Sequence, residues 1–127
     1  MSTFNIKPGD DLSNTDLRGA DLRGDDLTGV ILDGADLTGA NLIGANLTDA
    51  RLICTILTDA DLECANLTGA DLTNATIRNT DLTDADLTGA DMTGVEFKCD
   101  NRKLVQRVIL TGTTNVPDEL AWWVENP

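Results

Sequence analysis

The feature that most constrains this 127-residue chain is a leucine, or a residue of similar bulk, at every fifth position over most of its length. The register holds for 18 consecutive units from residue 12 to residue 97, with Ile77, Met92 and Phe97 in place of leucine. In an α-helix, steps of five residues place successive side chains about 140° apart and spread them around the axis. In a flat strand, an odd spacing sends alternate leucines to opposite faces. The backbone must therefore turn at every unit.

The other positions of the unit explain how such a turn forms. Alanine precedes most leucines by two residues, Asp or Asn comes directly before them, threonine directly after, and Gly, Asp or Asn next. Gly, Asn and Asp adopt the left-handed backbone of tight turns at little cost. If each unit forms one short side and its last residue makes a corner, every leucine points inward and the alanines fill the remaining space of a narrow tube. The expected fold is a solenoid of stacked coils.

The tandem units ADLTG, ANLTD and ADLTN, within residues 10–99, resemble the pentapeptide-repeat family. The resemblance implies an all-β fold, a right-handed quadrilateral β-helix with four units in each coil and about 4.5 coils in total. At roughly 4.8 Å between neighbouring strands, the tube is about 22 Å long. The predicted organisation is an N-terminal cap of residues 1–9, the β-helix of residues 10–99, and a C-terminal tail of residues 100–127.

The tail is predicted to be helical because the five-residue period stops after Cys99. Residues 100–110 are expected to form a helix with Leu104, Val105, Val108 and Ile109 on one side, and VPDELAWWVENP a second short helix. Such a tail either covers the open end of the solenoid as a cap or joins two molecules end to end, as a C-terminal helix does in some members of the family that the chain resembles. The candidate cap or dimer contacts are Leu104, Val108, Leu120, Trp122, Trp123 and Val124.

The charge balance is strongly acidic, with 22 Asp and Glu against 9 Lys and Arg and a net charge of −13. Non-specific attraction to nucleic acid or to anionic lipid is therefore disfavoured, and a cationic protein partner is favoured. Aspartates directly before the leucines face outward and form a candidate acidic interaction surface, whose alternative role is solubility and protection of the sheet edges. They are Asp16, Asp21, Asp26, Asp36, Asp61, Asp71, Asp81, Asp86 and Asp91.

Two departures from the repeat identify further positions. Ile31, Ile53 and Ile56 are expected near one edge in neighbouring coils, with Arg51, as a candidate apolar contact patch, although scattered exposed apolar residues are also common. Asp25 stands at an inward position where most units have alanine. A carboxylate inside the tube is costly unless it is hydrogen-bonded, so we expect it to accept from backbone N–H groups near the N-terminal end.

The absence of histidine rules out most familiar hydrolytic mechanisms, and the plentiful aspartates recur at one outward position without a recognisable pocket. The chain contains no histidine, which excludes an imidazole base, a histidine-activated nucleophile and a histidine metal site. We expect no enzymatic activity, no cofactor and no metal. Cys54, Cys64 and Cys99 all fall at corner positions and are expected to be free thiols, as in a reducing compartment. No targeting segment or membrane-spanning run is recognisable, so a cytoplasmic location is expected.

Two functions remain open at this stage. One is a rigid, acidic, non-enzymatic β-helical scaffold for protein–protein interaction, with an unknown partner. The other is mimicry of DNA, because residues 1–99 carry 18 acidic and 6 basic groups, or one net charge per roughly 1.8 Å against about 1.7 Å in duplex DNA. The family that the chain resembles includes fluoroquinolone-resistance proteins that bind DNA gyrase in place of DNA, so gyrase or another DNA-binding protein is the alternative partner. A monomer is too short for that role, and mimicry would need a dimer formed through the tail.

Overall fold

The structure, a computed structural model, describes residues 4–126 and shows a chain that closes one coil every 20 residues. Parallel bridges join equivalent residues of successive coils in four ladders, one on each side of the tube, so that each five-residue unit supplies one side. The first side carries the ladder Asp11–Ile31–Arg51–Asp71–Asp91–Thr114, and the second carries Asp16–Asp36–Ile56–Thr76–Glu96. The third side carries Asp21–Asn41–Asp61–Asp81, and the fourth carries Asp26–Asn46–Asn66–Asp86–Ile109. The predicted right-handed quadrilateral β-helix is confirmed.

Each corner of the coil is a tight turn within one unit. The N–H of Ala40 donates to the C=O of Leu37 at 2.9 Å, and Gly39 between them has a φ of 67°. A positive φ at the third position of a turn favours Gly, Asn or Asp, and Asp59 and Asn74 adopt a φ of 57° at the equivalent corners. The last residue of each repeat unit therefore decides where the chain turns.

The inward side chains form one continuous core. Leucines from Leu22 to Leu87 are at most 1% exposed, and the inward alanines between them are almost as fully buried. Thr55 is also buried, and its hydroxyl donates to the C=O of Leu32 at 2.8 Å. Thr80 does the same with Leu57 at 2.7 Å. These bonds allow polar side chains to occupy alanine positions, because a buried hydroxyl without a partner would destabilise the fold.

Regular strands occur at one place on the second side. Strand β1 (Thr76–Arg78) pairs in parallel with strand β2 (Glu96–Lys98), and Ile77 lies opposite Phe97. Elsewhere in the described chain, a side contributes a single bridging residue between two turns. A five-residue unit that must also turn a corner leaves little room for longer strands.

The segment after Cys99 does not form the predicted helix over residues 100–110. Only Arg102–Val105 is helical, as a 3-10 helix, and the Asn101 side chain caps it by accepting from the N–H of Lys103. The coil then resumes with Ile109 on the fourth side and Thr114 on the first. The bridge from Asp86 to Ile109 spans 23 residues instead of 20, so this corner accommodates three additional residues.

The four residues that were predicted to share one helix face therefore lie at different positions of the coil and differ in burial. Val105 and Val108 are buried in the core, Leu104 is half-buried, and Ile109 is 44% exposed on the fourth side. The N–H of Leu82 donates to the C=O of Leu104 at 2.6 Å, the bond that equivalent residues form along the tube. The prediction of one helix with these residues on one side is wrong, because the repeat register continues after a short insertion.

Helix α1 (Asp118–Glu125) covers the C-terminal end of the tube. Pro117 precedes its first turn, which carries Asp118 and Glu119, where negative charge is favourable. Leu120 is completely buried, and the helix contacts both the 3-10 helix and β2. Among residues 4–126, no helix combines the length and the apolar character that crossing a membrane requires.

At the N-terminal end, part of the predicted cap lies outside the described residues, namely residues 1–3. Ile6 is half-buried against the core, whereas Phe4 is 42% exposed. The N–H of Gly9 donates to the C=O of Thr28 at 2.9 Å and brings the chain into the first coil. Asp25 is half-buried, and from residue 4 to residue 126 the hydrogen bonds expected at its carboxylate are not found.

Candidate interaction surfaces

The aspartates and asparagines before the leucines act as backbone acceptors. Oδ1 of Asp71 accepts from the N–H of Thr73 at 3.0 Å and from the threonine hydroxyl at 2.5 Å. Neither the turn nor a neighbouring coil takes this N–H, so the side chain completes the backbone hydrogen bonding of the unit. The same pair of bonds occurs at Asp26, Asp36, Asn46, Asp86 and Asp91.

Two of these aspartates are also paired with arginine. The Arg18 guanidinium donates to Asp16 through Nε at 2.8 Å and through Nη2 at 2.7 Å. These hydrogen bonds, with a further one from the Arg18 N–H, lower the pKa of Asp16 to about 2. Arg23 binds Asp21 in the same way and lowers the pKa of that carboxyl as well. Both carboxylates stay ionised near neutral pH, but a neighbouring cation compensates their charge.

The structure distributes the candidate aspartates over the whole circumference of the tube. Asp71 and Asp91 lie on the first side, Asp16 and Asp36 on the second, Asp21, Asp61 and Asp81 on the third, and Asp26 and Asp86 on the fourth. No side brings all of them together. A partner that contacts one side would therefore meet two or three of these carboxylates, flanked by threonine hydroxyls.

The candidate apolar patch lies on the first and second sides. Ile31 and Arg51 are neighbours in the first ladder, Ile53 follows on the same side, and Ile56 lies beyond the next corner. Ile31 and Ile53 are half-buried, and Ile56 is 37% exposed. Asp33 accepts from Arg51 Nη2 at 2.5 Å and from the N–H of Ile53 at 3.2 Å. It thus replaces the acceptor that the repeat lacks where arginine takes the place of aspartate.

The three cysteines are free thiols, two of them exposed and one buried. Cys54 and Cys64 are exposed at corners, whereas Cys99 is buried. Burial raises the pKa of the Cys99 thiol, whose Sγ lies 3.0 Å from the C=O of Asn101. Within residues 4–126, no three Cys, Asp or Glu side chains are grouped in a way that could hold a metal ion.

The sequence did not reveal a cleft at the C-terminal end, which we call the cap cleft. It has a volume of about 300 Å³ and lies between the 3-10 helix, the corner at Arg107 and α1. The only signal in the sequence is a group of three cations, Arg102, Lys103 and Arg107, within an otherwise acidic chain. The lining residues are Arg102, Val105, Gln106, Arg107, Trp123 and Val124.

The candidate tail contacts separate into two groups around this cleft. Leu120 and Val108 are buried, and Leu104, Trp123 and Val124 are partly buried against the core, so these residues hold the cap in place. Trp122 is 61% exposed and meets the Trp123 ring edge-on, with 6.2 Å between ring centroids. Of the six candidates, Trp122 is the most exposed, and Trp123 and Val124 line the cleft.

Comparison with known families gives one match, described as pentapeptide repeats, in 8 copies over residues 11–42, 31–69 and 65–98. Comparison with curated protein sequences finds no match.

The solved structures that are similar in sequence and in fold include three cyanobacterial proteins. HetL from Nostoc sp. strain PCC 7120, a pentapeptide repeat protein involved in heterocyst differentiation regulation, is 33% identical with a TM-score of 0.68, and the match covers 84% of this chain and 47% of HetL. The protein alr5209 from Nostoc PCC 7120 is 34% identical with a TM-score of 0.63, over 78% of this chain and 83% of alr5209. Rfr23 from Cyanothece 51142 is 36% identical with a TM-score of 0.53, over 81% of this chain and 58% of Rfr23. The chain thus spans about half the length of HetL.

Proposed function

This chain belongs to the pentapeptide-repeat family, and from this premise we propose that it is a non-enzymatic, rigid scaffold that binds another protein. The supporting observation is the solid core: the leucines and alanines fill the tube, so recognition must use outward side chains held at fixed positions on the coils. Equivalent side chains of successive coils lie about 4.8 Å apart. A regular surface of this kind suits recognition by shape and charge.

The contact surface proposed for the coil is formed by the first and second sides. Ile56 provides exposed apolar area on the second side, and Ile31, Ile53 and Arg51 lie on the adjoining first side. The net charge of −13 favours a cationic protein as the partner. HetL is involved in regulation of heterocyst differentiation, and a regulatory role is compatible with a binding scaffold. We also propose a reducing, cytoplasmic location, which the three free thiols support.

Site-specific photo-crosslinking tests the scaffold proposal. Ile53, Thr58, Glu63 and Thr68 occupy the same position of the unit on the four successive sides of one coil. A photoreactive phenylalanine derivative at each position gives four variants that serve as matched controls for one another. We expect one protein to be captured from positions 53 and 58 only, and to bind the unlabelled chain in a defined ratio once purified. Equal, non-specific capture from all four sides would contradict the proposal.

DNA mimicry is the second candidate, and the observation that favours it is charge density. Residues 1–99 carry 18 acidic and 6 basic groups. The first ladder has six members, so the coils extend over about 24 Å, the length of roughly seven base-pair steps. A monomer of this length covers little of a DNA-binding groove, and mimicry therefore depends on end-to-end dimerisation through the tail.

Two measurements address this second candidate together. Light scattering on the whole chain and on a version ending at Val116, which keeps the last coil but lacks α1, determines whether the tail forms a dimer. A gyrase supercoiling assay over a salt series determines whether the acidic surface competes with DNA. A dimer that inhibits gyrase at low salt and loses inhibition as salt rises would support mimicry. A monomer without inhibition would leave the scaffold as the function of the chain.

A further inference from the structure

The cap cleft combines an apolar floor with a basic rim. Val105 on its floor is only 3% exposed, and Val124 and Trp123 continue the apolar surface. Arg102, Gln106 and Arg107 complete the lining with polar groups. A concave apolar surface with a few converging polar groups is the usual form of a protein binding site.

Of the three cations at this end of the molecule, one forms an ion pair with a carboxylate and two form none among the described residues. Arg107 donates to Asp84 through Nε at 2.5 Å and through Nη2 at 2.6 Å, which fixes its guanidinium. Arg102 and Lys103 are exposed and form no ion pair within residues 4–126. In a chain with a net charge of −13, this local group of positive charge can attract an acidic ligand.

Two further observations single out the same place. Trp122, next to the cleft, is 61% exposed, and Trp and Arg are the residues most enriched at the energetic centres of interfaces. Arg107 has a φ of 56° at a corner where the repeat almost always uses Gly, Asn or Asp. A long side chain in this backbone region is disfavoured, and such strain is often kept at binding sites.

We propose that the cap cleft binds a short acidic segment of a partner protein that also carries a large apolar side chain. The apolar side chain packs on Val105, Val124 and Trp123, and carboxylates of the segment pair with Arg102 and Lys103. Trp122 covers the bound segment from one side. Acidic motifs are commonly recognised by clustered cations in this way.

A second copy of this chain does not fit the same requirement. From Gly9 to Thr114 the backbone forms the coils and their corners, and residues 4–8 contain no acidic side chain. Helix α1 does carry Asp118, Glu119 and Glu125 near the exposed Trp122. The completely buried Leu120 holds that helix on the core of its own molecule, so it is not free to enter the cleft of a second copy as an extended segment. The occupant is therefore a segment of another protein. This inference rests on the proposed scaffold function and assigns it a second contact site, away from the crosslinking positions on the coil.

Fluorescence anisotropy with a defined peptide tests the inference. The probe is a labelled ten-residue peptide that alternates Asp or Glu with Phe or Leu. One control peptide has lysine in place of the acidic residues, and the other has serine in place of the apolar residues. We expect the whole chain to bind the probe with a Kd on the order of micromolar and to bind both control peptides far more weakly.

Variants of exposed residues locate the binding site without disturbing the core. Arg102→Glu and Trp122→Ala are each expected to weaken binding by about tenfold. Lys7→Glu makes the same charge change at the opposite end of the tube and should leave the affinity within about twofold. Equal weakening by Arg102→Glu and Lys7→Glu, or no binding of the probe, would overturn the inference.

The remaining outcomes separate this inference from the scaffold proposal. Loss of probe binding in Arg102→Glu with unchanged crosslinking at positions 53 and 58 supports both. If the probe fails to bind while those crosslinks persist, the cap cleft is not a peptide site and the scaffold stands. If light scattering shows that Trp122→Ala abolishes a dimer, the occupant is a second copy and the inference is wrong.

Discussion

Asn41, Asn46 and Asn66 occupy the position that Asp61 and Asp71 hold in other units, and all of them accept from the backbone N–H two residues later. At the scale of single residues, the repeat therefore requires a hydrogen-bond acceptor at this position and not a negative charge. The sequence pattern alone indicated an acidic surface. The exchange of Asn for Asp between units could have indicated that this position needs a hydrogen-bond acceptor, because the two side chains share only their acceptor oxygen and their turn preference.

Asp71 allows acceptor and charge to be separated experimentally. Asp71→Asn keeps the oxygen that binds the N–H of Thr73, and we expect the free energy of unfolding to change by less than about 0.5 kcal/mol. Asp71→Ala leaves that N–H without its partner and should lower the free energy of unfolding by about 1 kcal/mol. Urea denaturation of both variants measures the difference. Equal losses for the two substitutions would mean that charge, and not the hydrogen bond, matters here.

The Asp16–Arg18 pair makes a prediction about pH. Hydrogen bonds from Arg18 lower the pKa of Asp16 to about 2, so Arg18→Gln should raise the pKa of Asp16, as measured by carboxyl NMR titration. Because the folded pKa lies below the unfolded value, the pair stabilises the fold above about pH 4, and this contribution is lost as the pH falls toward 2. The lowered pKa of Asp91, caused mainly by Thr93, is the internal control and should not change. An unchanged pKa at Asp16 would show that the ion pair does not form.

At the scale of elements, the coil and the short C-terminal helix α1 were predictable, and the segment between them, residues 100–110, was not. A large apolar residue every fifth position, with a turn-forming residue two places later, requires a corner in every unit. In the tail, the spacing of Leu104, Val105 and Val108 fits a helix as well as a coil, and three additional residues hide the register. The unit Val108-Ile109-Leu110-Thr111-Gly112 still matches the repeat, and it could have shown that the coil continues.

Helix α1 offers a direct test of how the cap is held. Leu120 is completely buried, and Leu120→Ala should lower the free energy of unfolding by about 2–5 kcal/mol. Trp122 is 61% exposed, and Trp122→Ala should change the free energy by no more than about 0.5 kcal/mol. Guanidinium denaturation of the two variants under identical conditions gives both values. A larger loss from the Trp122 substitution would place that ring in a packed contact and contradict the cap geometry.

At the scale of the whole molecule, the four ladders determine what the chain can present to a partner. The sequence marks Ile31, Arg51, Ile53 and Ile56 as departures from the repeat, but it does not show which of them lie on the same side of the tube. The ladders supply that relation. The cap cleft was beyond sequence reasoning for a physical reason. It forms where the 3-10 helix, the corner at Arg107 and α1 meet, and the contacts between these elements are not encoded in the five-residue period.

Every surface discussed above depends on the stacking of coils, and NMR couplings across hydrogen bonds test this stacking most directly. The structure predicts a coupling between the amide nitrogen of Leu62 and the carbonyl carbon of Asp81, and likewise between Leu42 and Asp61, since both bonds are 2.7 Å long. We expect such couplings to recur along the tube at the same sequence separation. Couplings from these amides to carbonyls four residues earlier, as in a helix, would contradict the four-sided coil.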